Sequence, residues 1–128
     1  MIVESSALVA ILKSESDAWV FAAAMEQADT IRVCPASLLE TSIVVGPDLE
    51  PELDELVALS GIEVVPFTEE QSRVARRAHR DYGRGSGSKA RLNFGDCMSY
   101  ALARVTGEPL LFKGNDFRHT DIEPAIRD

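Results

Sequence analysis

The segment Asn93-Phe-Gly-Asp-Cys-Met-Ser-Tyr-Ala-Leu-Ala-Arg104, followed by Leu110-Leu-Phe-Lys-Gly-Asn-Asp-Phe117, predicts a helix, a tight turn and a short buried strand. Asp96 falls in the first turn of the helix, and Asp116 falls just past the carboxyl end of the strand. In a sheet covered by helices, groups beyond the carboxyl ends of strands converge on one crevice. The two acids are therefore expected to lie near each other.

Short apolar strands alternate with helical patterns through the rest of the chain. Three further strands are predicted at residues 1–3, 31–34 and 62–66, and an edge strand near Ile122. Ser5 and Ser6 are expected to cap the first helix, and the second helix is expected to bury Trp19, Val20 and Ala23. This alternation predicts a single α/β domain over residues 1–128, with a mainly parallel sheet of four to five strands.

The composition is that of a globular protein. The chain has 128 residues, of which 45% are hydrophobic, and its longest apolar runs are far too short to span a membrane. Two cysteines, Cys34 and Cys97, do not make a disulfide framework, so a reduced, cytoplasmic setting is expected. The net charge of -8, taken alone, argues against binding to nucleic acid.

The charge is unevenly distributed, however. Residues 1–70 hold 14 acids and 2 bases, whereas residues 71–128 hold 7 acids and 11 bases. One short interval that contains a single acid, Asp81, carries seven of these bases: Arg73, Arg76, Arg77, Arg80, Arg84, Lys89 and Arg91. The first four recur at helical spacing, and residues 83–89 form a glycine- and serine-rich loop. The interval predicts a local cationic surface on an acidic protein.

Two more acids are placed where they can join Asp96 and Asp116. Glu4 ends the first strand, and Glu40 lies about one turn into the helix after the second strand. Carboxylates in contact repel, so such a cluster needs protons or a cation, and oxygen ligands favour magnesium or manganese. Such ions suit in-line attack on a phosphodiester.

Taken singly, each of three acids also has an ordinary structural role. Asp96 can complement the helix dipole, Glu40 can face solvent on an amphipathic helix, and Asp116 can form a turn. Glu4 is different, because a charge at the end of a buried strand needs a partner. The set of four is what indicates a metal site.

The motifs resemble those of PIN-domain ribonucleases of the VapC toxin type, over nearly the whole chain. The resemblance rests on Met1-Ile-Val-Glu-Ser-Ser-Ala-Leu-Val-Ala-Ile-Leu12, on Pro35-Ala-Ser-Leu-Leu-Glu-Thr41 and on the 92–122 region. It implies a PIN-like three-layer α/β/α fold and a magnesium- or manganese-dependent endoribonuclease. It also implies a VapB-type antitoxin partner and a homodimer, and the apolar helices near the amino end, with Trp19 and Phe21, are expected to give a dimer face or an antitoxin groove.

The resemblance assigns residues as well as an activity. It implies that Glu4, Glu40, Asp96 and Asp116 form a metal-binding, catalytic quartet. It matches Ser6 to the small hydroxyl residue that supports metal-bound water. With an RNA substrate, the seven bases are expected to hold phosphates beside the acids, the alternative being an ordinary solvated helix face.

One position departs from the family pattern, which has aspartate after the first strand where this chain has Glu4. The extra methylene moves the carboxylate by about 1.5 Å. Metal geometry tolerates only a few tenths of an ångström. A natural or engineered change that weakens metal binding is therefore the simplest hypothesis.

Two other functions compete with an active nuclease. One is a catalytically weakened PIN module that binds antitoxin and RNA without efficient cleavage. The other is a phosphoacceptor or phosphatase domain, which is disfavoured because no Asp-x-Asp follows the first strand.

Overall fold

The computed structural model describes residues 1–127 and contains one four-stranded sheet. The strands are β1 (Ile2–Val3), β2 (Ile31–Val33), β3 (Ile62–Val64) and β4 (Leu110–Leu111). They run parallel in the order β3-β2-β1-β4, with Ile2 opposite both Arg32 and Leu110. The predicted parallel α/β sheet is confirmed. In place of a fifth strand near Ile122, an isolated bridge joins Leu110 to Pro124.

Six α-helices connect and cover these strands in the described part of the chain. They are α1 (Ser5–Leu12), α2 (Ala18–Gln27), α3 (Pro35–Val45), α4 (Glu50–Leu59), α5 (Glu69–Tyr82) and α6 (Phe94–Thr106). Two short 3-10 turns, Pro47–Leu49 and Asp116–His119, complete the described helical structure. Helix α3 begins at Pro35, because proline suits the first helical position.

Alternating strand residues divide the core into two layers, one on each face of the sheet. Ile2 and Leu110 pack in a cluster with α5 and α6. Their neighbours Val3 and Leu111 pack on the opposite face with α1 and α2. All four side chains are fully buried, as expected for a parallel sheet covered on both faces. The three-layer architecture predicted from the resemblance is confirmed.

The predicted buried face of α2 is wrong for its tryptophan. Trp19 is 72% exposed, and Val20 and Ala23 are only half-buried. Phe21 and Met25, four residues apart, form the buried stripe instead. Rotating the helix to bury Trp19 would expose these two side chains.

The strand order places a crevice between β1 and β4. From β1 the chain proceeds to β2 on one side of the sheet, whereas β4 adds on the other side. This reversal is the position at which α/β proteins commonly bind ligands, beyond the carboxyl ends of the strands. None of the helices described over residues 1–127 combines the length and apolarity needed to cross a bilayer.

Candidate active site

Glu4 connects β1 to α1 and caps that helix. Its backbone is extended, and its Oε2 accepts hydrogen bonds from the Ser6 backbone N–H at 2.9 Å and from the Ser6 hydroxyl. The prediction that Ser5 or Ser6 caps α1 is therefore wrong, because the helix begins at Ser5 and the preceding carboxylate reaches its first turn. The Glu4 residue is only 4% exposed.

The Ser5 hydroxyl links two of the predicted site acids. Its oxygen lies 2.8 Å from Glu4 Oε1 and 2.5 Å from Glu40 Oε1. A hydroxyl has a single proton and cannot donate to both carboxylates at once. Burial raises the pKa of Glu4, with a further rise from the charge of Glu40, although the hydrogen bonds from Ser6 oppose it. This pair therefore favours an additional proton or cation.

Glu40 also lies against the first turn of α6, where Gly95 makes room for it. A Cβ atom on Gly95 would lie 3.3 Å from each Glu40 carboxylate oxygen, tighter than most real contacts. Only glycine leaves this space without displacing Glu40. Glu40 thus joins the β1 end of the site to the amino end of α6.

Asp96 caps α6 and also lies within the electrostatic influence of the other predicted site acids. It forms a capping box with Asn93, in which Asp96 Oδ2 accepts from the Asn93 N–H at 3.0 Å and Asn93 Oδ1 accepts from the Asp96 N–H at 2.8 Å. Burial, followed by the charges of Glu4, Glu40 and Asp116, raises the pKa of Asp96 to about 6. The capping box therefore holds Asp96 at a position where the charges of the other three acids act on its pKa.

Asp116 begins the 3-10 turn after β4 and is exposed. The loop before it is tied to β1, because the Lys113 backbone N–H donates to the Ser6 hydroxyl at 2.8 Å. The Lys113 side chain instead forms ion pairs with Glu15 and Asp17, at 2.8 and 3.1 Å. The ammonium group therefore balances acids near α1 and α2.

Within residues 1–127, no group of three or more His, Cys, Asp or Glu side chains is preformed to hold a metal ion. Three of the predicted site acids are engaged in hydrogen bonds instead. Glu4 and Glu40 accept from the Ser5 hydroxyl, and Asp96 Oδ2 accepts from the Asn93 N–H. Nor does any ion pair within the described residues reach the four acids. The oxygen donors match a hard cation in chemistry.

The seven predicted phosphate-binding residues lie at the surface along α5 and the following loop. All of them are exposed, and Arg73 pairs with Glu69 at 2.9 Å. The loop is closed at its base, where Leu92 N–H donates to the Tyr82 carbonyl at 2.9 Å and Arg84 N–H to the Leu92 carbonyl at 3.2 Å. Its carboxyl end leads directly into Asn93, the residue that caps α6.

Three features of the site were not anticipated as site residues. Ser5 links Glu4 to Glu40, and Gly95 gives Glu40 its space. Phe94, the first residue of α6, is 83% exposed. The available signal was their position inside the Glu-Ser-Ser and Asn-Phe-Gly-Asp motifs, beside the predicted acids.

Comparison with known proteins matches the PIN domain family over residues 1–123. Ribonuclease VapC28 of Mycobacterium tuberculosis is 51% identical, with 98% of each chain covered. Ribonuclease VapC42 of the same organism is 49% identical, again over 98% of each chain, and its ribonuclease VapC30 is 48% identical over 95% of each.

A solved structure supports the fold independently. The crystal structure of Mycobacterium tuberculosis VapC20, described as a sarcin-ricin loop cleaving toxin, aligns with a TM-score of 0.78. The alignment covers 99% of this chain and 98% of that one, at 15% sequence identity, so it bears on the fold alone. The family match and the relatives near 50% identity identify the chain as a member of the PIN-domain VapC ribonuclease family.

Proposed function

We propose that the chain is a magnesium- or manganese-dependent endoribonuclease toxin of a type II toxin–antitoxin system. The observation that carries the proposal is the proximity of Glu4, Glu40 and Asp116 to Asp96, whose pKa is raised to about 6 first by burial and then by the charges of those three acids. Four acids from separate parts of the chain repel one another in one crevice, and a hard cation would relieve that repulsion.

Glu4, Glu40, Asp96 and Asp116 would hold the cation through carboxylate oxygens. When bound, the divalent ion supplies Lewis acidity and lowers the pKa of water for attack on a phosphodiester. The Ser6 hydroxyl supports the set, because it donates to Glu4 and accepts from the Lys113 backbone. Asn93 orients Asp96 through the capping box, which leaves Asp96 Oδ1 available as a ligand.

RNA is the proposed substrate, held by the cationic surface of α5 and the following loop. That surface consists of Arg73, Arg76, Arg77, Arg80, Arg84, Lys89 and Arg91, all exposed. Attraction of phosphates to these side chains offsets the repulsion between a polyanion and the acid site. The relatives that carry the name ribonuclease support this substrate class.

A VapB-type antitoxin and a second copy of the chain are the proposed protein partners. Large apolar side chains remain exposed on α2 and α3, where Trp19 is 72%, Leu39 63% and Ile43 72% exposed. Covering such side chains is a typical function of a protein interface. A cytoplasmic location, with the buried Cys34 and Cys97 reduced, fits this assignment.

A weakened nuclease is the second candidate, and the contacts of Glu4 favour it specifically. Both of its carboxylate oxygens accept hydrogen bonds from Ser5 and Ser6 of its own helix. Glu4 Oε1 keeps a lone pair for a metal ion, but these bonds fix the direction in which the Glu4 carboxylate can offer it. This candidate binds RNA and antitoxin but cleaves poorly.

A manganese titration in the presence of RNA separates the two candidates. We expect cleavage of single-stranded RNA to require Mn²⁺ and to be lost in Asp96→Asn, with RNA binding retained. Glu52→Gln, which alters an exposed acid on α4, is the matched control and should cleave normally. Cleavage that is independent of Mn²⁺ contradicts the proposal, and binding without cleavage at any Mn²⁺ concentration favours the weakened module.

A further inference from the structure

An apolar groove lies between α5 and α6, next to the acid site but outside it. Its volume is about 650 Å³, and its lining includes the apolar side chains of Phe67, Ala75, Phe94 and Met98. Phe94 is two residues before Asp96 on α6 and is 83% exposed. Because the exposed Phe94 ring is continuous with the other apolar side chains of the groove, the groove forms a contiguous apolar surface of the kind that marks binding sites.

The same groove has a basic wall. Arg76 and Arg80, one helical turn apart on α5, line it together with His79. Arg73 is occupied by Glu69, whereas in the described part of the chain neither Arg76 nor Arg80 forms an ion pair. Two uncommitted guanidinium groups therefore flank an aromatic floor.

We propose that this groove binds one unpaired nucleotide of the RNA substrate, with its base stacked on Phe94 and its phosphate held by Arg76 and Arg80. This inference rests on the proposed ribonuclease function and extends it to a base-binding subsite. Proteins that bind single-stranded RNA combine these two features, because aromatic rings stack on bases and arginines neutralise phosphates.

The position of the groove favours RNA over a peptide. Phe94 and Met98 face the groove from one side of α6, whereas Asp96 lies on another face of the same first turn, so a strand whose base lies on Phe94 must pass around the amino end of α6 to reach the acid site. The uncommitted charges of the groove are cationic, which complements a phosphate on the same strand.

Equilibrium binding of a short unstructured RNA oligomer tests the subsite, with Ca²⁺ present to neutralise the acids. Phe94→Ala should weaken RNA binding roughly 5- to 150-fold. Phe94→Leu should weaken it nearly as much, because leucine has no ring to stack on a base, whereas Phe94→Trp should bind RNA like the unaltered protein. Leu59→Ala is the matched control, since Leu59 is 78% exposed on α4 outside the groove. Thermal unfolding should be unchanged in all four variants.

Oligomers that each lack one base supply the second arm. Removing the base at one position should weaken binding to the unaltered protein by the same factor as the Phe94→Ala substitution. Removing that same base should cause no further loss of binding to the Phe94→Ala protein. Additive losses at every position, or an unchanged affinity in Phe94→Ala, overturn the subsite. Loss of antitoxin binding in Phe94→Ala with RNA affinity intact also overturns it.

The two proposals fail differently in this experiment. If Phe94→Ala binds and cleaves RNA like the unaltered protein, the subsite is wrong and the nuclease assignment stands. If the unaltered protein neither binds nor cleaves RNA, the proposed function itself is wrong, and the subsite is overturned with it.

Discussion

Gly95 and Glu40 are in such close contact that a single methyl group would disturb the site: a Cβ atom on Gly95 would stand 3.3 Å from both carboxylate oxygens of Glu40. This contact links α3 to the first turn of α6, which carries Asp96. Gly95 therefore helps to position Glu40, a proposed metal ligand. It does so through its small size alone, since its side chain has no charge and makes no hydrogen bond.

We predict that Gly95→Ala lowers the affinity for Mn²⁺ by about tenfold, because Glu40 must move by a few tenths of an ångström. Thermal unfolding should change little, because Gly95 is the second residue of α6 and the preference for alanine over glycine, about 1 kcal/mol, applies to a helix interior. Calorimetric titration with Mn²⁺ measures the affinity.

Adding Gly95→Ala to a Glu40→Gln protein is the control for this prediction. The second change should then have little further effect on Mn²⁺ affinity, because the displaced ligand is already altered. An unchanged Mn²⁺ affinity in Gly95→Ala alone would show that the contact does not position Glu40.

The raised pKa of Asp96 predicts how the free energy of unfolding depends on pH when a chelator removes divalent ions. Its pKa rises from an ordinary value of 3.8 to about 6 in the folded protein, so the folded state holds the proton more tightly than the unfolded state. The free energy of unfolding is therefore highest at low pH in this range and falls as pH rises from about 4 to about 6. Urea unfolding at a series of pH values measures the loss.

The expected loss from Asp96 is about 2 kcal/mol, after allowance for the solvent that reaches a half-buried carboxylate. Burial raises the pKa of Glu4 as well, which adds a change of the same sign. Asp96→Asn should reduce the pH dependence, whereas Asp54→Asn on the exposed face of α4 should leave it unchanged. Equal profiles for Asp96→Asn and the unaltered protein would contradict the coupling of the four acids.

Glu4→Asp tests the departure from the family pattern. The shorter side chain is still a good helix cap, but it moves the carboxylate back by about 1.5 Å. We expect RNA cleavage at limiting Mn²⁺ to rise by about tenfold, with thermal stability changed little. Equal cleavage rates for the two proteins would refute the hypothesis that Glu4 weakens metal binding.

The basic residues of α5 and the following loop predict a salt dependence of RNA binding. Charge reversal at Arg76 and Arg77 should weaken binding and flatten the plot of log affinity against log salt by about 0.7 for each lost phosphate contact. Lys13→Glu, an exposed base at the end of α1, is the control. An unchanged slope would mean that this surface is an ordinary solvated helix face.

Sequence patterns predicted the fold well because alternating strands and helices with buried Ile, Val and Leu leave few arrangements open. The fold prediction failed where one helix had two candidate faces, as with Trp19 and Phe21, since periodicity alone does not say which face meets the sheet. The strand ends located Glu4 and Asp116 beside the β1–β4 crevice.

The fine structure of the site was beyond what the sequence could predict. Whether Glu4 caps its own helix or projects into the crevice depends on its hydrogen bond from the Ser6 N–H. The contact between Gly95 and Glu40 joins residues 55 positions apart and depends on how α3 packs against α6. Such contacts follow from tertiary packing, which local patterns do not encode.

The central claim is that four acids distant in sequence bind one hard cation together. Its most direct test is a crystal structure of the protein soaked in Mn²⁺, with the ion located by its anomalous scattering. We predict an ion within about 2.2 Å of carboxylate oxygens from Asp96 and at least two of Glu4, Glu40 and Asp116, with the Ser5 hydroxyl released from one carboxylate. An ion bound elsewhere, or no ion in the β1–β4 crevice at a Mn²⁺ concentration that supports cleavage, would contradict the account.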